Sequence, residues 1–288
     1  MINKILVIGG NGQLGNCFRK IAPDFELEYE FNFTDSETLD ITDEDVVEEF
    51  FAEYKPDYCI NASAYTAVDL AESEPEKAFA VNADGVASLA EACKKHRTEL
   101  IHISTDYVFD GDTQISYSED SFTNPQGVYG ASKLKGEELA LEINPKTIVI
   151  RTSWLYSEFN KNFVKTMLNL FSQKDELGIV ADQFGQPTNA NDLAEAVMKI
   201  IRHQPKTYGV FHFSNEPETS WHGFASKIAE FSESNVKLNA ITTEDFPTPA
   251  KRPKRSTMSL DKIEEVYKIE PKHWEWSLQE CIDILKDS

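Results

Sequence analysis

Basic residues are scarce in this chain. Lys and Arg total 28 against 49 Asp and Glu in 288 residues, a formal charge of -21 at pH 7. A surface of that sign repels the phosphates of nucleic acids and of anionic lipids, so neither is an expected partner. The basic cluster that stands out is Lys251-Arg252-Pro253-Lys254-Arg255. Cysteine is sparse as well. Cys17, Cys59, Cys93 and Cys281 lie far apart and match no zinc-ligand spacing. Cys59 and Cys93 fall in apolar patterns and are expected as small core residues, which points to a reduced, cytoplasmic protein. Long apolar runs are missing. Ile5-Leu6-Val7-Ile8 breaks at Gly9, too short for the core of a signal peptide, and no stretch approaches a membrane span. There is no internal repeat and no low-complexity segment. What remains is a chain with 41% hydrophobic and 11% aromatic residues, ordinary for a globular protein. Its length suits one large α/β domain, or one domain with a smaller lobe.

Residues 4–8 read as a short buried strand that runs straight into Gly9-Gly10-Asn11-Gly12-Gln13-Leu14-Gly15. A helix follows, with Leu14, Cys17, Phe18 and Ile21 on one face and Pro23 as its stop. Strand, glycine loop, helix is the context of a dinucleotide-binding fingerprint: glycines admit the pyrophosphate to the backbone, and the helix N-terminus offers N–H groups to it. Leu27, Tyr29 and Phe31 alternate as a second strand, and Thr42 is placed to cap a helix over residues 43–54. Strands are expected at 57–60, 100–104 and 147–151, with a helix from Pro75 to about His96 and another carrying Tyr129 and Lys133. This alternation predicts an α/β fold, a Rossmann-like doubly wound parallel sheet. The dinucleotide-binding domain is expected to span 1–153. A smaller substrate lobe spans 154–288, with elements within 178–215 returning to the sheet. In that second half, helices are expected at 163–171, 192–201, 221–231 and 276–285, a strand at 210–213, and a Pro- and Thr-rich loop at 241–255.

Tyr129 and Lys133 stand four residues apart, so a helix puts them on one face. A free phenol titrates near 10, and a neighbouring ammonium favours its ionised form, which fits Tyr129 for proton exchange with a ligand. Asn61-Ala62-Ser63-Ala64 and Ser104-Thr105 end their strands on the same side of the sheet as the glycine loop. Ligands bind there in such sheets, so three segments converge on one crevice.

Gly9-x-x-Gly12-x-x-Gly15 together with Tyr129-x-x-x-Lys133 resembles the extended short-chain dehydrogenase/reductase family. The likeness is reinforced by the stretch from Asn61 to Asp69, by Ser104-Thr105-Asp106-Tyr107-Val108-Phe109-Asp110-Gly111, by Arg151-Thr152-Ser153-Trp154 and by Arg252-Pro253-x-x-Ser256. The resemblance implies an enzyme that reduces a keto group of a nucleotide sugar with NADPH or NADH. It makes Thr105, Tyr129 and Lys133 the catalytic set: Thr105 on the carbonyl oxygen, Tyr129 as proton donor, Lys133 on the nicotinamide ribose and lowering the Tyr129 pKa. For the cofactor it implies Gly9, Gly12, Gln13, Leu14, Gly15, Asp40, Ile41, Ala62, Ser63 and Tyr65 besides Lys133. For the substrate it implies Asp106, Tyr107, Trp154 and Arg252 besides Thr105 and Tyr129, with Arg252 toward the diphosphate. Phe109 and His102 are read as core. Two alternatives stay open, a nucleotide-sugar epimerase or dehydratase and a non-catalytic regulatory subunit like the β subunit of methionine adenosyltransferase. Dehydratases of this superfamily carry an acidic pair after the threonine, where this chain has Asp106-Tyr107. The residues leave NADPH against NADH undecided: Glu30 faces either solvent or the ribose. Some bacterial relatives form a magnesium-held homodimer. Cys17 and Asn191 stand where their acidic ligands are matched, so no metal is expected, and the chain is expected to be a monomer or a dimer made by another surface. Asn191 is read instead as the cap of the 192–201 helix.

Overall fold

The computed structural model describes residues 2–287; Met1 and Ser288, the outer limits of the two expected domains, lie outside the described residues. β1 (Asn3–Ile8), β2 (Tyr29–Thr34), β3 (Tyr58–Asn61), β4 (Glu99–Thr105) and β5 (Thr147–Thr152) form one sheet with a later strand, Gly209–His212. All pairings are parallel, and the order is Gly209–His212, β5, β4, β3, β1, β2. Ile5, Leu6, Val7 and Ile8 are at most 1% exposed because helices cover both faces, which is why this strand reads as an unbroken apolar run. On one face α1 (Gln13–Ile21) and helix Ala190–Arg202 share a core with Ile5, Val7, Ile60, Ile101 and Ile150. On the other, α2 (Glu44–Tyr54) and helix Gly85–His96 pack around Leu6, Ile8, Cys59 and Leu100. Cys59 and Cys93 both lie in that second core. A third core, Tyr156, Val164, Met167, Phe224, Ile228, Trp274 and Leu278, is built from the second half of the chain alone.

The strand order reverses between β1 and β3, with β2 on one side and β4 and β5 on the other. The carboxyl ends flanking that switch point are Gly9 and Ala62, so the topology opens the crevice there.

Several local expectations need correction. β2 begins at Tyr29; Leu27 is 90% exposed in the turn before it, because the helical turn Ala22–Phe25 carries the chain over the surface. β2 also continues beyond Phe31, to Thr34, whose carbonyl accepts from Gly10 N at 2.7 Å. Asp43, not Thr42, caps α2 by accepting from Val46 N, while the Thr42 hydroxyl donates to Asp40 at 2.8 Å. Asn189, not Asn191, caps helix Ala190–Arg202; Asn191 lies inside it and donates to Glu158 Oε2 at 2.8 Å.

The expected 75–96 helix is interrupted by a π-turn at Ala80–Asp84. That turn swings Asn82 inward: it accepts from Tyr65 N at 2.8 Å and donates to Ser132 Oγ at 3.0 Å. It thereby ties the segment after β3 to helix Val128–Ile143, which carries Tyr129 and Lys133. Helices Phe163–Phe171 and Trp221–Phe231 form as expected, and the last helix is longer, Trp274–Lys286. The parallel pair Glu176–Val180 with Lys237–Ile241 and the helix Asp261–Tyr267 were not legible in the pattern. No described helix is long and apolar enough to cross a membrane.

Candidate active site

One cavity of about 1450 Å³ opens at the switch point and extends under the second lobe. Every segment singled out in the sequence contributes to its wall: Gly9, Gly12, Gln13 and Leu14 from the loop, Asp40 and Ile41, Ala62, Ser63 and Tyr65, Thr105, Asp106 and Tyr107, Tyr129, Lys133, Trp154 and Arg252. Gly15 is absent from the wall and serves the loop from behind: a Cβ there would sit 2.3 Å from Gly9 O, so only glycine lets α1 begin this close to β1. Gly9 itself has φ +79, a backbone region that favours glycine.

Gly12 is the N-cap of α1 and no side chain caps that end, which leaves the first backbone N–H groups turned to the cavity that Gln13 and Leu14 line. Gln13 braces the loop to the second lobe: it donates to Leu155 O at 3.2 Å and accepts from Asn162 at 2.8 Å. A positive helix end, a glycine-lined approach and no competing cap fit a dinucleotide diphosphate.

Lys133 is only 1% exposed. Its ammonium donates to Ile103 O at 2.7 Å and lies 3.4 Å from His102 Nε2. Burial pushes its pKa down to about 8, and Glu137, one turn along the same helix, opposes that shift. The ammonium therefore persists at neutral pH and is lost as the pH rises through about 8. His102 is completely buried, touches Asn61 Nδ2 at 3.2 Å, and is held well below its ordinary pKa by burial and then by Lys133. It is a neutral core histidine.

Burial also sets the Tyr129 phenol, raising its pKa; the Thr105 hydroxyl offsets part of this. Lys133 does not overcome burial here, contrary to the expected lowering. Tyr107 stands edge-on to Tyr129 with ring centroids 5.6 Å apart. Phe109 is in the core, stacked on Tyr117 at 4.1 Å. Thr105 Oγ accepts from Tyr107 N at 3.2 Å and donates to Asp106 Oδ1 at 3.1 Å. Burial raises Asp106 to about 6, and the neighbouring Ser256 and Thr105 hydroxyls limit the rise.

At the far end Arg252 reaches the wall from the loop after the Lys237–Ile241 strand. It donates to Tyr107 Oη at 3.1 Å and pairs with Asp69 at 2.7 Å. Trp154 is stacked on Trp221, centroids 3.6 Å apart and 9° from parallel. Gly185 backs onto the same indole so closely that a Cβ would lie 2.7 Å from Cε2.

Trp221, Phe163 and Asp35 are among the wall residues that the sequence reading does not single out. Trp221 and Phe163 come from helices recognised only as apolar. Asp35 lies just beyond Thr34, the end of β2, past the alternation of Leu27, Tyr29 and Phe31. Behind the wall, Glu137 was missed although it continues the Tyr129, Lys133 face by one more turn. Its carboxylate accepts from Ser104 Oγ and from Arg151 Nε and Nη2, the last at 2.7 Å, with both charged side chains at most 5% exposed. Cys17 is buried, its thiol pushed up to about 12 by burial and then by Glu158. Among the described residues no group of three or more His, Cys, Asp or Glu is placed to hold a metal ion.

A family model described as the RmlD substrate binding domain matches residues 3–286. A dTDP-4-dehydrorhamnose reductase of Aggregatibacter actinomycetemcomitans is 45% identical over 96% of this chain and 97% of its own length. The crystal structure of a dTDP-4-dehydrorhamnose reductase from Clostridium acetobutylicum superposes with a TM-score of 0.93 at 42% identity, covering 98% of this chain and 99% of that one. The Bacillus anthracis dTDP-4-dehydrorhamnose reductase, solved in complex with NADP, gives 0.94 at 36% identity, covering 99% and 100%.

Proposed function

The chain belongs to the family of the RmlD substrate binding domain, and on that premise we propose that it is an NAD(P)H-dependent oxidoreductase that reduces the 4-keto group of dTDP-4-dehydro-β-L-rhamnose to dTDP-L-rhamnose. The observation that carries the reading is the meeting of Thr105, Tyr129 and Lys133 in one cavity with the glycine loop. The nicotinamide, when bound, supplies the hydride. Everything else falls to the protein. Tyr129 is protonated at neutral pH because burial raises its pKa, which is the state a proton donor needs. Thr105 is the second donor toward the oxygen that gains charge. Its single proton rests on Asp106 in this geometry, so a carbonyl competes with that carboxylate for it. Lys133 holds its ammonium beside the Ile103 carbonyl, next to the position proposed for the nicotinamide ribose. Gly9, Gly12, Gln13 and Leu14 are assigned to the diphosphate, and Asp40, Ile41, Ala62, Ser63 and Tyr65 to the remaining cofactor wall. Trp154 and Tyr107 are assigned to the sugar.

The lone acid after Thr105 favours reduction over dehydration, and an intact Thr105, Tyr129 and Lys133 favours an enzyme over a regulatory subunit. The test is consumption of NAD(P)H, read by its near-ultraviolet absorbance, when enzymatically prepared dTDP-4-dehydrorhamnose is added; no consumption with either cofactor rejects the reading. In the same assay Arg252→Ala is expected to raise the substrate KM and leave cofactor affinity nearly unchanged. Arg252 is a cation on this wall with a planar fork suited to phosphate oxygens, and its partner Asp69 is part exposed. An unchanged KM removes Arg252 from the substrate site.

The division into a dinucleotide-binding part, 1–153, and a substrate lobe, 154–288, belongs to the same proposal. It is supported by the separate third core and by strand Gly209–His212 joining β5. A cytoplasmic location fits four buried, free cysteines. We further propose that the protein assembles without magnesium. Where acids are matched in metal-held relatives, this chain offers the buried thiol of Cys17 and the amide of Asn191, already committed to Glu158. Light scattering is expected to give the same mass with and without EDTA. A dimer that dissociates on adding the chelator overturns this.

A further inference from the structure

A polar chain runs behind the cavity wall from Ser63 to Lys133. Asn61 ends β3 and pairs across the sheet with His102 on β4; both are completely buried. Ser63 N and Ser63 Oγ donate to Asn61 Oδ1 at 3.0 and 2.7 Å. Asn61 Nδ2 lies 3.2 Å from His102 Nδ1, and His102 Nε2 lies 3.4 Å from Lys133 Nζ. Ser63 and Lys133 line the cavity; Asn61 and His102 stand behind it.

The inventory of donors and acceptors gives this chain one direction. The Ser63 backbone N–H can only donate, so Asn61 turns its oxygen to Ser63 and its amide nitrogen to His102. His102 Nδ1 must then accept. A neutral imidazole carries one proton, which therefore sits on Nε2 and points at Lys133. Lys133 can receive it only as an amine, because an ammonium has no lone pair. The donation from Nζ to Ile103 O is open to either form. Reversing the Asn61 amide does not remove the clash of donors; it moves the clash to Ser63 N. A protonated His102 would add a donor, and burial keeps that ring neutral. The titratable groups around Lys133 are Tyr129 and Glu137 on its own helix, Asp106 in the turn after β4, and Arg151 on β5, paired with Glu137. Burial favours the amine and Glu137 the ammonium.

We propose that Asn61 and His102 are positioning residues that make Lys133 a proton acceptor in the free protein, so that binding of the dinucleotide takes up a proton at this lysine. The inference rests on the reductase reading above and deepens it by coupling cofactor binding to a protonation. Ribose hydroxyls at this lysine add acceptors, and the dinucleotide adds negative charge; both favour the ammonium. One proton passes from solvent to Nζ, and no other bond changes.

The test is calorimetric titration with NADH and with NADPH, without sugar, in phosphate and in Tris, whose heats of ionisation differ. The dependence of the binding heat on the buffer counts the protons exchanged. The wild type is expected to take up about half a proton at pH 8, where Lys133 is half titrated, and almost none below about pH 6. Asn61→Leu frees His102 to carry its proton on Nδ1 and accept from the ammonium, without adding charge. Asn61→Asp accepts from both Ser63 N and His102 Nδ1 and reverses the chain. Both are expected to abolish most of the uptake at pH 8. Nitrogen NMR of histidine-labelled wild type reads the chain without touching Asn61: the signal lost in His102→Phe is expected to be the Nε2–H tautomer. An Nδ1–H tautomer there, no uptake by the wild type, or uptake unchanged in both Asn61 variants overturns the proposal and leaves the reductase reading intact. Failure of both cofactors to bind overturns both.

Discussion

Tyr129→Phe is expected to lower kcat on the dTDP-sugar by about 100- to 10,000-fold, the range for losing a general acid. The substitution deletes one oxygen and keeps the ring, so the edge contact with Tyr107 survives and cofactor affinity should hold. The size of the effect follows from the absence of a ready substitute. Thr105 has one proton and Asp106 accepts it. Lys133 is anchored to the Ile103 carbonyl, and His102 is buried and neutral behind it. Steady-state kinetics with a parallel cofactor titration check this. Wild-type turnover in Tyr129→Phe would remove the tyrosine from the chemistry, while a loss of cofactor binding would show that the ring had moved.

Glu137→Ala is expected to cost the fold about 3–5 kcal/mol, because it leaves the Arg151 guanidinium buried without its partner. The pair joins the catalytic helix to β5, and Ser104 at the end of β4 hydrogen-bonds the same carboxylate. Replacing both partners is a different matter. Apolar residues of similar volume in place of a buried pair are often neutral or stabilising, so Glu137→Met with Arg151→Met is expected to recover most of the loss. Thermal scans of the single and double variants check it. A melting temperature unchanged in Glu137→Ala would show that the pair contributes nothing net. The same substitution removes the charge that opposes the lowering of the Lys133 pKa, so it should weaken the ammonium as well as the fold.

The elements legible from the chain alone were those with a strong period or a sharp local signal. Ile5 to Ile8 followed by glycines can hardly be anything other than a buried strand feeding a loop. Helices with apolar residues on one face, such as Phe163–Phe171 and Trp221–Phe231, were found at their true limits. Helical spacing pairs Tyr129 with Lys133, and the motifs around Thr105 and Arg252 single out two more residues of the same wall. Caps were misassigned by one or two residues, Asp43 for Thr42 and Asn189 for Asn191. Neighbouring polar side chains can all cap, and only the backbone geometry chooses among them.

Tertiary structure decided what depends on partners distant in sequence. β2 extends to Thr34 because Ile8 offers its ladder that far, and this alone brings Asp35 to the cavity. Trp154 meets Trp221, and Glu137 meets Arg151, across gaps that no local pattern encodes. The protonation of Tyr129 was read as a matter of its lysine neighbour. It is governed by burial, a property of everything packed around the ring. Spacing along the chain determined which side chains share a face; the environment that sets their charge exists only once the faces are closed against each other.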